Sequence, residues 1–199
     1  MLKLKLQKSE TRKGVLTLLI DEDPWRDLHT SIYGKRPTLP KSISLEDFQE
    51  QFTQYEFQRA KVYVYNRLAA RSMHSRELEK MLKERLVSSE CIGRLLDECR
   101  SMGYLNDREW VENAIRTEMS RKKGPKAILQ KLRMKGIAVE EIEAILSEMD
   151  SEEGQKERLR KLLETKYRNR DLEDYREREK VIGALVRKGY DFQIIREVL

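Results

Sequence analysis

The chain has 199 residues, of which 38% are charged and 39% hydrophobic, with 9 Gly, 4 Pro and 2 Cys. No apolar run approaches the roughly 18 residues of a membrane-spanning helix, and two cysteines, Cys91 and Cys99, provide neither a disulfide framework nor a four-cysteine zinc site, as expected of a reducing cytoplasm. The 41 basic and 35 acidic side chains leave a net charge of +6, a mildly basic balance that favours an acidic or nucleoprotein partner.

In chain order, Leu2, Leu4 and Leu6 alternate with Lys3, Lys5 and Gln7, the period of a half-buried strand and not of a signal peptide. Val15 to Ile20 is a second strand candidate, entered from a turn at Gly14 and broken by Asp21-Glu22-Asp23-Pro24. Gly34 to Pro40 reads as loop, and Ser44-Leu45-Glu46-Asp47 has the Ser-x-x-Asp form of a helix start. Residues 1–50 are thus expected to form a strand-turn-strand extension and the beginning of a first helix.

From Phe48 onward the apolar period is helical, and it repeats. A shift of 50 residues places Leu78, Leu82, Val87, Ile92, Leu95 and Leu96 on Ile128, Leu132, Ile137, Ile142, Ile145 and Leu146, and a further shift of 53 places them on Val181, Leu185, Tyr190, Ile195, Val198 and Leu199. Ungapped agreement at such a period marks stacked helical modules. Lys135-Gly136 and Lys188-Gly189 close the middle helix with a residue suited to a left-handed turn, where the first copy has Arg85-Leu86. Ser75 and Gly124-Pro125 suit helix starts. With the amphipathic stretches Ala60–Arg71, Trp110–Met119 and Arg158–Arg168 upstream, three modules of three helices are expected over 51–106, 107–150 and 151–199, with Ser151–Gln155 as a flexible joint. The fold class is mainly α: tandem three-helix repeats behind a small β element.

Catalytic chemistry finds little support. His29 and His74 have no neighbouring ligand at metal-binding spacing, the glycines are scattered singly, and Glu140, Glu141 and Glu143 read as an exposed helix face. Neither an enzyme, a metal nor a cofactor is expected. Tyr104, Trp110 and Tyr190 fall at apolar positions and are expected in the core, whereas Tyr63 and Tyr65 are not assigned.

The charge pattern points to binding. Arg116 to Lys135 holds eight basic residues against Glu118 alone, followed from Gly136 to Asp150 by five acids and no base. Arg121, Lys122, Lys123 and Lys126 cluster around a helix start able to receive phosphate or carboxylate. The candidate binding residues are these four with Arg116, Lys131, Arg133 and Lys135, and with Arg187 and Lys188 at the equivalent turn of the third module. The alternative is a helical DNA-binding regulator that contacts duplex phosphates through the basic patch 116–135; a helix-turn-helix reader of base edges is disfavoured, because no run of Asn, Gln, Ser and Arg suits it.

These residues resemble a known family. Ala69-Ala70-Arg71-Ser72-Met73-His74-Ser75-Arg76-Glu77-Leu78, Gly103-Tyr104-Leu105-Asn106-Asp107-Arg108-Glu109-Trp110, Lys123-Gly124-Pro125-Lys126-Ala127-Ile128, Lys135-Gly136-Ile137 and Gly189-Tyr190-Asp191-Phe192, in this order, are similar to the bacterial RecX family over about residues 59–199. The chain departs from the family pattern at Asn106, at Trp110-Val111 and at Leu86. The resemblance implies an elongated, curved array of three-helix modules. It also implies a monomeric cytoplasmic regulator that binds the RecA recombinase and its filament on single-stranded DNA, lodges in the filament groove, and inhibits ATP hydrolysis, strand exchange and co-protease activity, with roles in recombination, DNA repair and the SOS response. Weak DNA binding of its own and no membrane association complete the expectation.

Overall fold

The computed structural model describes residues 2–199, divided into two compact units, Met1–Asn106 and Asp107–Leu199. In the first, β1 (Leu4–Lys8), β2 (Val15–Ile20) and β3 (Asp23–His29) form an antiparallel sheet in the order β1-β2-β3. It is followed by α1 (Thr30–Tyr33), α2 (Leu45–Ala70), α3 (Ser75–Lys83) and α4 (Ser89–Ser101). The sequence suggests only two strands, because Asp21-Glu22-Asp23-Pro24 has the composition of a strand breaker. Instead, Asp21 and Glu22 take left-handed φ values of 49° and 76°, the backbone of a two-residue hairpin turn. Pro24 is accommodated because β3 lies at the sheet edge, where one register irregularity opposite Leu18 and Leu19 absorbs Trp25.

Trp25 packs edge-on against Phe48 and Phe52 of α2, with ring centroids at 5.4 and 4.9 Å, fastening the sheet to the helices. α2 is one helix of 26 residues, capped by Ser44 Oγ accepting from the Asp47 N–H at 3.2 Å. α3 is capped by His74 and not by Ser75: His74 is buried, and its Nδ1 accepts from the Arg76 N–H at 3.1 Å. His29 serves α1 in the same way, accepting from the Ser31 N–H.

The second unit is wholly helical: α5 (Asp107–Ser120), α6 (Pro125–Arg133), α7 (Val139–Met149), α8 (Glu152–Lys166), α9 (Tyr175–Arg187) and α10 (Phe192–Val198). All six repeated apolar positions are buried in the first two copies. In the third, Val181, Leu185, Tyr190 and Ile195 are buried, while Val198 and Leu199 pack half-exposed against the same core. The expected joint after Ser151 is instead helix. Ser151 Oγ caps α8 by accepting from Gly154, and the buried Asp150 just before it receives two 2.7 Å bonds from Arg158.

The turn closing α3, α6 and α9 is built alike three times. Leu86, Gly136 and Gly189 stand in the left-handed region at φ 60°, 87° and 91°. The next N–H reaches back to the helix at Val87→Leu82, Ile137→Leu132 and Tyr190→Leu185, and the buried partners of that bond are repeated apolar positions. Glycine is needed twice for different reasons. A Cβ on Gly136 would meet nothing, whereas one on Gly189 would lie 2.3 Å from the Ala127 nitrogen, because the start of α6 presses against this turn. Gly124 N–H donates to the Lys188 carbonyl at 2.9 Å and Lys126 N–H to the Gly189 carbonyl at 3.0 Å.

Glu56, 1% exposed, holds the first unit together. Its carboxylate accepts from Arg26 of β3 at 2.6 Å, from the Tyr33 hydroxyl of α1 at 2.9 Å, and from the N–H and hydroxyl of Ser88, the cap of α4. Burial and the adjacent carboxylate push the Tyr33 phenol well above its usual range, so it stays a donor at every physiological pH.

Two outcomes follow. Glu56→Ala strands a cation and three donors in the core and is expected to cost about 3–5 kcal/mol in urea unfolding. Gly136→Ala carries only the left-handed penalty, about 1 kcal/mol. Gly189→Ala adds an overpacking cost and is expected to lose about 3 kcal/mol or more in the same measurement.

Candidate functional site

The cationic segment begins where α5 ends. Lys122 takes a left-handed φ of 58°, and the Lys122 and Lys123 N–H groups bond back to Met119 and Glu118, so α5 closes with the same turn as the repeats but with lysine at the strained position. This reversal carries Gly124 onto the turn after α9. The Tyr190 hydroxyl donates to the Lys122 carbonyl at 3.4 Å, completing the junction with the two backbone bonds from Gly124 and Lys126. Two basic pairs 65 residues apart in sequence, Lys122-Lys123 and Arg187-Lys188, are thereby joined at one place.

The α6 start does not offer its amides to an anion, as the sequence suggested. Gly124 and Lys126 have their N–H groups on the carbonyls of Lys188 and Gly189, and the Ala127 N–H lies 3.2 Å from the Gly124 carbonyl. A close backbone approach takes the place of a bound phosphate. Any anion here is met by side chains.

Those side chains differ in availability. Arg116 pairs with Glu112 at 3.1 Å, and Lys126 with Asp191 at 2.6 Å. Arg121 and Lys131 both bond the buried Glu118, at 2.8 and 2.6 Å. Lys135 lies over the Trp110 ring at 4.9 Å. Arg133 is exposed at the far end of α6. Among the described residues, Lys122, Lys123, Arg187 and Lys188 have no carboxylate within ion-pair distance, and these four gather at the junction. Lys188 is half-buried, and its ammonium is held below the usual lysine range by burial first and then by the charges of Lys166 and Lys123. Lys166 has no distinguishing pattern in the sequence, being an ordinary cation in the last turn of α8. Only the packing of α8 brings its charge to Lys188. The site is therefore an uncompensated cluster of Lys122, Lys123, Lys166, Arg187 and Lys188, on which an anionic surface would relieve existing repulsion.

Tyr104, expected in the core, is 54% exposed beside Tyr65, whereas Tyr190 is buried as expected. Among the described residues no group of three or more His, Cys, Asp or Glu is arranged to hold a metal ion, and no helix is long and apolar enough to cross a membrane. Burial pushes the Cys91 thiol up to about 12, so it packs as a small apolar group.

With this geometry in view, the comparisons with known proteins agree. Family models match residues 106–146 as the second three-helix domain of RecX and residues 153–199 as the third. The "Regulatory protein RecX" of Legionella pneumophila (strain Corby) is 31% identical over 131 residues, covering 66% of this chain and 86% of the relative. The chain belongs to the RecX family. The RecX regulatory protein of Streptococcus agalactiae serotype V is 26% identical over 201 residues, covering 98% of this chain and 76% of the relative. A crystal structure of regulatory protein RecX superposes over 100% of this chain and 98% of its own with a TM-score of 0.65 at 24% identity. RecX from Lactobacillus salivarius gives 0.63 over 71% of this chain and 93% of its own, also at 24% identity. At this identity the two structures speak for the fold. The second RecX domain corresponds to α5–α7 and the third to α8–α10, so the cluster is assembled where the α5–α6 turn of one domain meets the α9–α10 turn of the other.

Glu118 supplies a pH test of this surface. Burial pushes its carboxyl up, but the bonds from Lys131 and Arg121 outweigh that and hold it below the ordinary glutamate value of 4.5. A depressed carboxyl stabilises the fold above its unfolded-state value and loses that contribution as pH falls through the folded-state value. Glu118→Gln is expected to lower stability by about 2 kcal/mol at pH 7 and to flatten the acid limb of a stability–pH profile below about pH 4.5, as followed by helical circular dichroism.

Proposed function

We propose that this chain is a non-enzymatic regulator that binds RecA and its filament on single-stranded DNA, and that it inhibits the filament's recombinase, ATPase and co-protease activities by lodging in the filament groove. Membership of a family named for regulation supports the regulatory part of this reading. The observation that carries the binding part is the uncompensated cation cluster of Lys122, Lys123, Lys166, Arg187 and Lys188, built from two repeats. Cations without local partners raise the on-rate and fix the register of docking to an acidic or nucleoprotein surface more than they raise affinity alone. A tandem array has a second advantage on a filament, because successive modules meet successive protomers and weak contacts combine through effective concentration. The chain acts in this reading as a cytoplasmic monomer and needs no cofactor.

The decisive experiment is single-stranded-DNA-dependent ATP hydrolysis by the cognate RecA with this protein titrated in. Inhibition is expected well below one molecule per RecA. The Lys122→Glu/Lys123→Glu/Arg187→Glu variant is expected to fold normally and to need about tenfold more protein for the same inhibition, a loss of about 1.4 kcal/mol. No inhibition by the parent chain up to equimolar protein would overturn the reading. Direct duplex-DNA regulation through residues 116–135 would instead show sequence-independent DNA binding that falls steeply with salt and leaves the recombinase unaffected.

A further inference from the structure

The sheet of the first unit has two edges, and they differ. β3 carries Pro24 and a register irregularity opposite Leu18 and Leu19, features that discourage a further strand. β1 has neither, and it pairs with β2 without a shift from Leu4↔Ile20 to Lys8↔Leu16. At its two ends the Lys3 carbonyl accepts from the Asp21 N–H at 2.9 Å and the Ser9 N–H donates to the Val15 carbonyl at 3.0 Å. Hydrogen-bonded pairs alternate along an antiparallel ladder, so Lys5 and Gln7 also face β2. The N–H and C=O groups of Leu4, Leu6 and Lys8 therefore point to the open edge, and among the described residues none of them bonds to the backbone of another segment.

A groove of about 300 Å³ opens beside this strand, lined by Leu2, Leu4, Pro37, Leu39, Pro40 and Ser42. Its size is at the lower end for ligand pockets and suits aliphatic side chains better than a cofactor. The Ser42 hydroxyl is buried with no hydrogen-bond partner, and Ile43, next in the chain, is 83% exposed. The other face of the strand is cationic. Lys3 and Lys5, with Lys8 at the strand end and Lys13 in the following turn, are exposed and have no carboxylate in ion-pair distance among the described residues. The acids of this sheet are engaged elsewhere: Asp27 bonds Arg12 and Thr17, and Asp21 bonds the Lys3 amide.

The charges select what this edge accepts. A second copy is a poor occupant, because antiparallel registers centred on Leu4 or on Lys5 set Lys3 opposite Lys5 or Lys5 opposite itself, and one centred on Leu6 sets Lys8 against Leu4. The same lysines favour a strand of opposite charge, whose carboxylates lie across from them while its alternate side chains fall on the leucine face. We propose that β1 takes up an acidic, extended segment of another protein as a fourth strand, with Asp or Glu beside Lys3 and Lys5 and apolar side chains over Leu4, Leu6 and the groove. Backbone bonds to Leu4, Leu6 and Lys8 supply the affinity, and the lysines and the groove supply the selectivity. The site shares no residue with the lysine cluster of the second unit and does not rest on the recombinase-regulator reading.

The test uses the full chain without recombinase and a labelled octapeptide of alternating Glu and Val, followed by fluorescence anisotropy and by amide-resolved hydrogen exchange. The Leu4 and Leu6 amides are expected to slow on the order of tenfold at saturating peptide, as new ladder bonds form. An octapeptide with Pro in place of each Val keeps the charge, loses the donors opposite Leu4 and Leu6, and is expected not to bind. Lys3→Glu/Lys5→Glu, with an unchanged thermal melt, is expected to weaken binding about tenfold and to transfer the preference to an octapeptide of alternating Lys and Val. No binding of the Glu-Val octapeptide by the parent chain at about 1 mM and low ionic strength would overturn the proposal and leave the lysines as guards against edge pairing. Equal binding of the Pro octapeptide, or the same amide protection produced by oligo(dT), would reduce the edge to a general anion surface and would equally overturn it. Protection of Leu4 and Leu6 that grows with chain concentration in the absence of peptide would assign the edge to a second copy instead. Since no recombinase is present, each of these failures leaves the ATP hydrolysis result standing on its own.

Discussion

The molecule depends on a reversal of the backbone after a nine- to thirteen-residue helix, which forces one residue into the left-handed region and returns the next apolar side chain onto that helix. Leu86, Gly136 and Gly189 perform this at equivalent places, and the back-bonded pairs Leu82 and Val87, Leu132 and Ile137, Leu185 and Tyr190 are buried each time. Helices this short have little stability of their own and are held by the apolar face they bury. The turn is what directs that face at the next helix. Where glycine is absent, as at Leu86, the side-chain penalty is accepted because the surrounding core determines the backbone there.

Thin cores need fastening, and buried carboxylates supply it. Glu56 links an edge strand, a short helix, a long helix and a cap in the first unit. Asp150 with Arg158, and Glu118 with Arg121 and Lys131, do comparable work in the second. Such groups contribute specificity of arrangement more than net stability, because desolvation offsets much of the attraction. The RecX domains of the second unit are also joined by backbone contact between Gly124 and Gly189, close enough that any Cβ would be excluded.

The same contact shapes the functional surface. By occupying the amides at the start of α6 it removes a conventional anion site, yet it gathers Lys122, Lys123, Arg187 and Lys188 beside Lys166 with no acid to neutralise them. The cations that sequence density emphasised most, Arg121, Lys126 and Lys131, are largely absorbed by Glu118 and Asp191. Density of charge along the chain is thus a poor measure of charge offered to a partner.

The sequence by itself determined the helical repeat, because apolar spacing and turn glycine are local and periodic, and a shift of 50 or 53 residues brings them into register. It determined the cap at Ser44, the proline start of α6, the burial of Tyr190, and the family resemblance, all carried by short contiguous patterns. The third strand was hidden because Asp21 and Glu22 adopt a turn usually announced by Asn or Gly, and the joint after Ser151 because its rigidity comes from a buried ion pair spanning eight residues. Which cations stand free was decided only by tertiary structure. Lys166 reaches Lys188, and Lys122 reaches Tyr190, through the packing of separate helices, and electrostatic compensation depends on distance in space, which spacing along the chain does not specify.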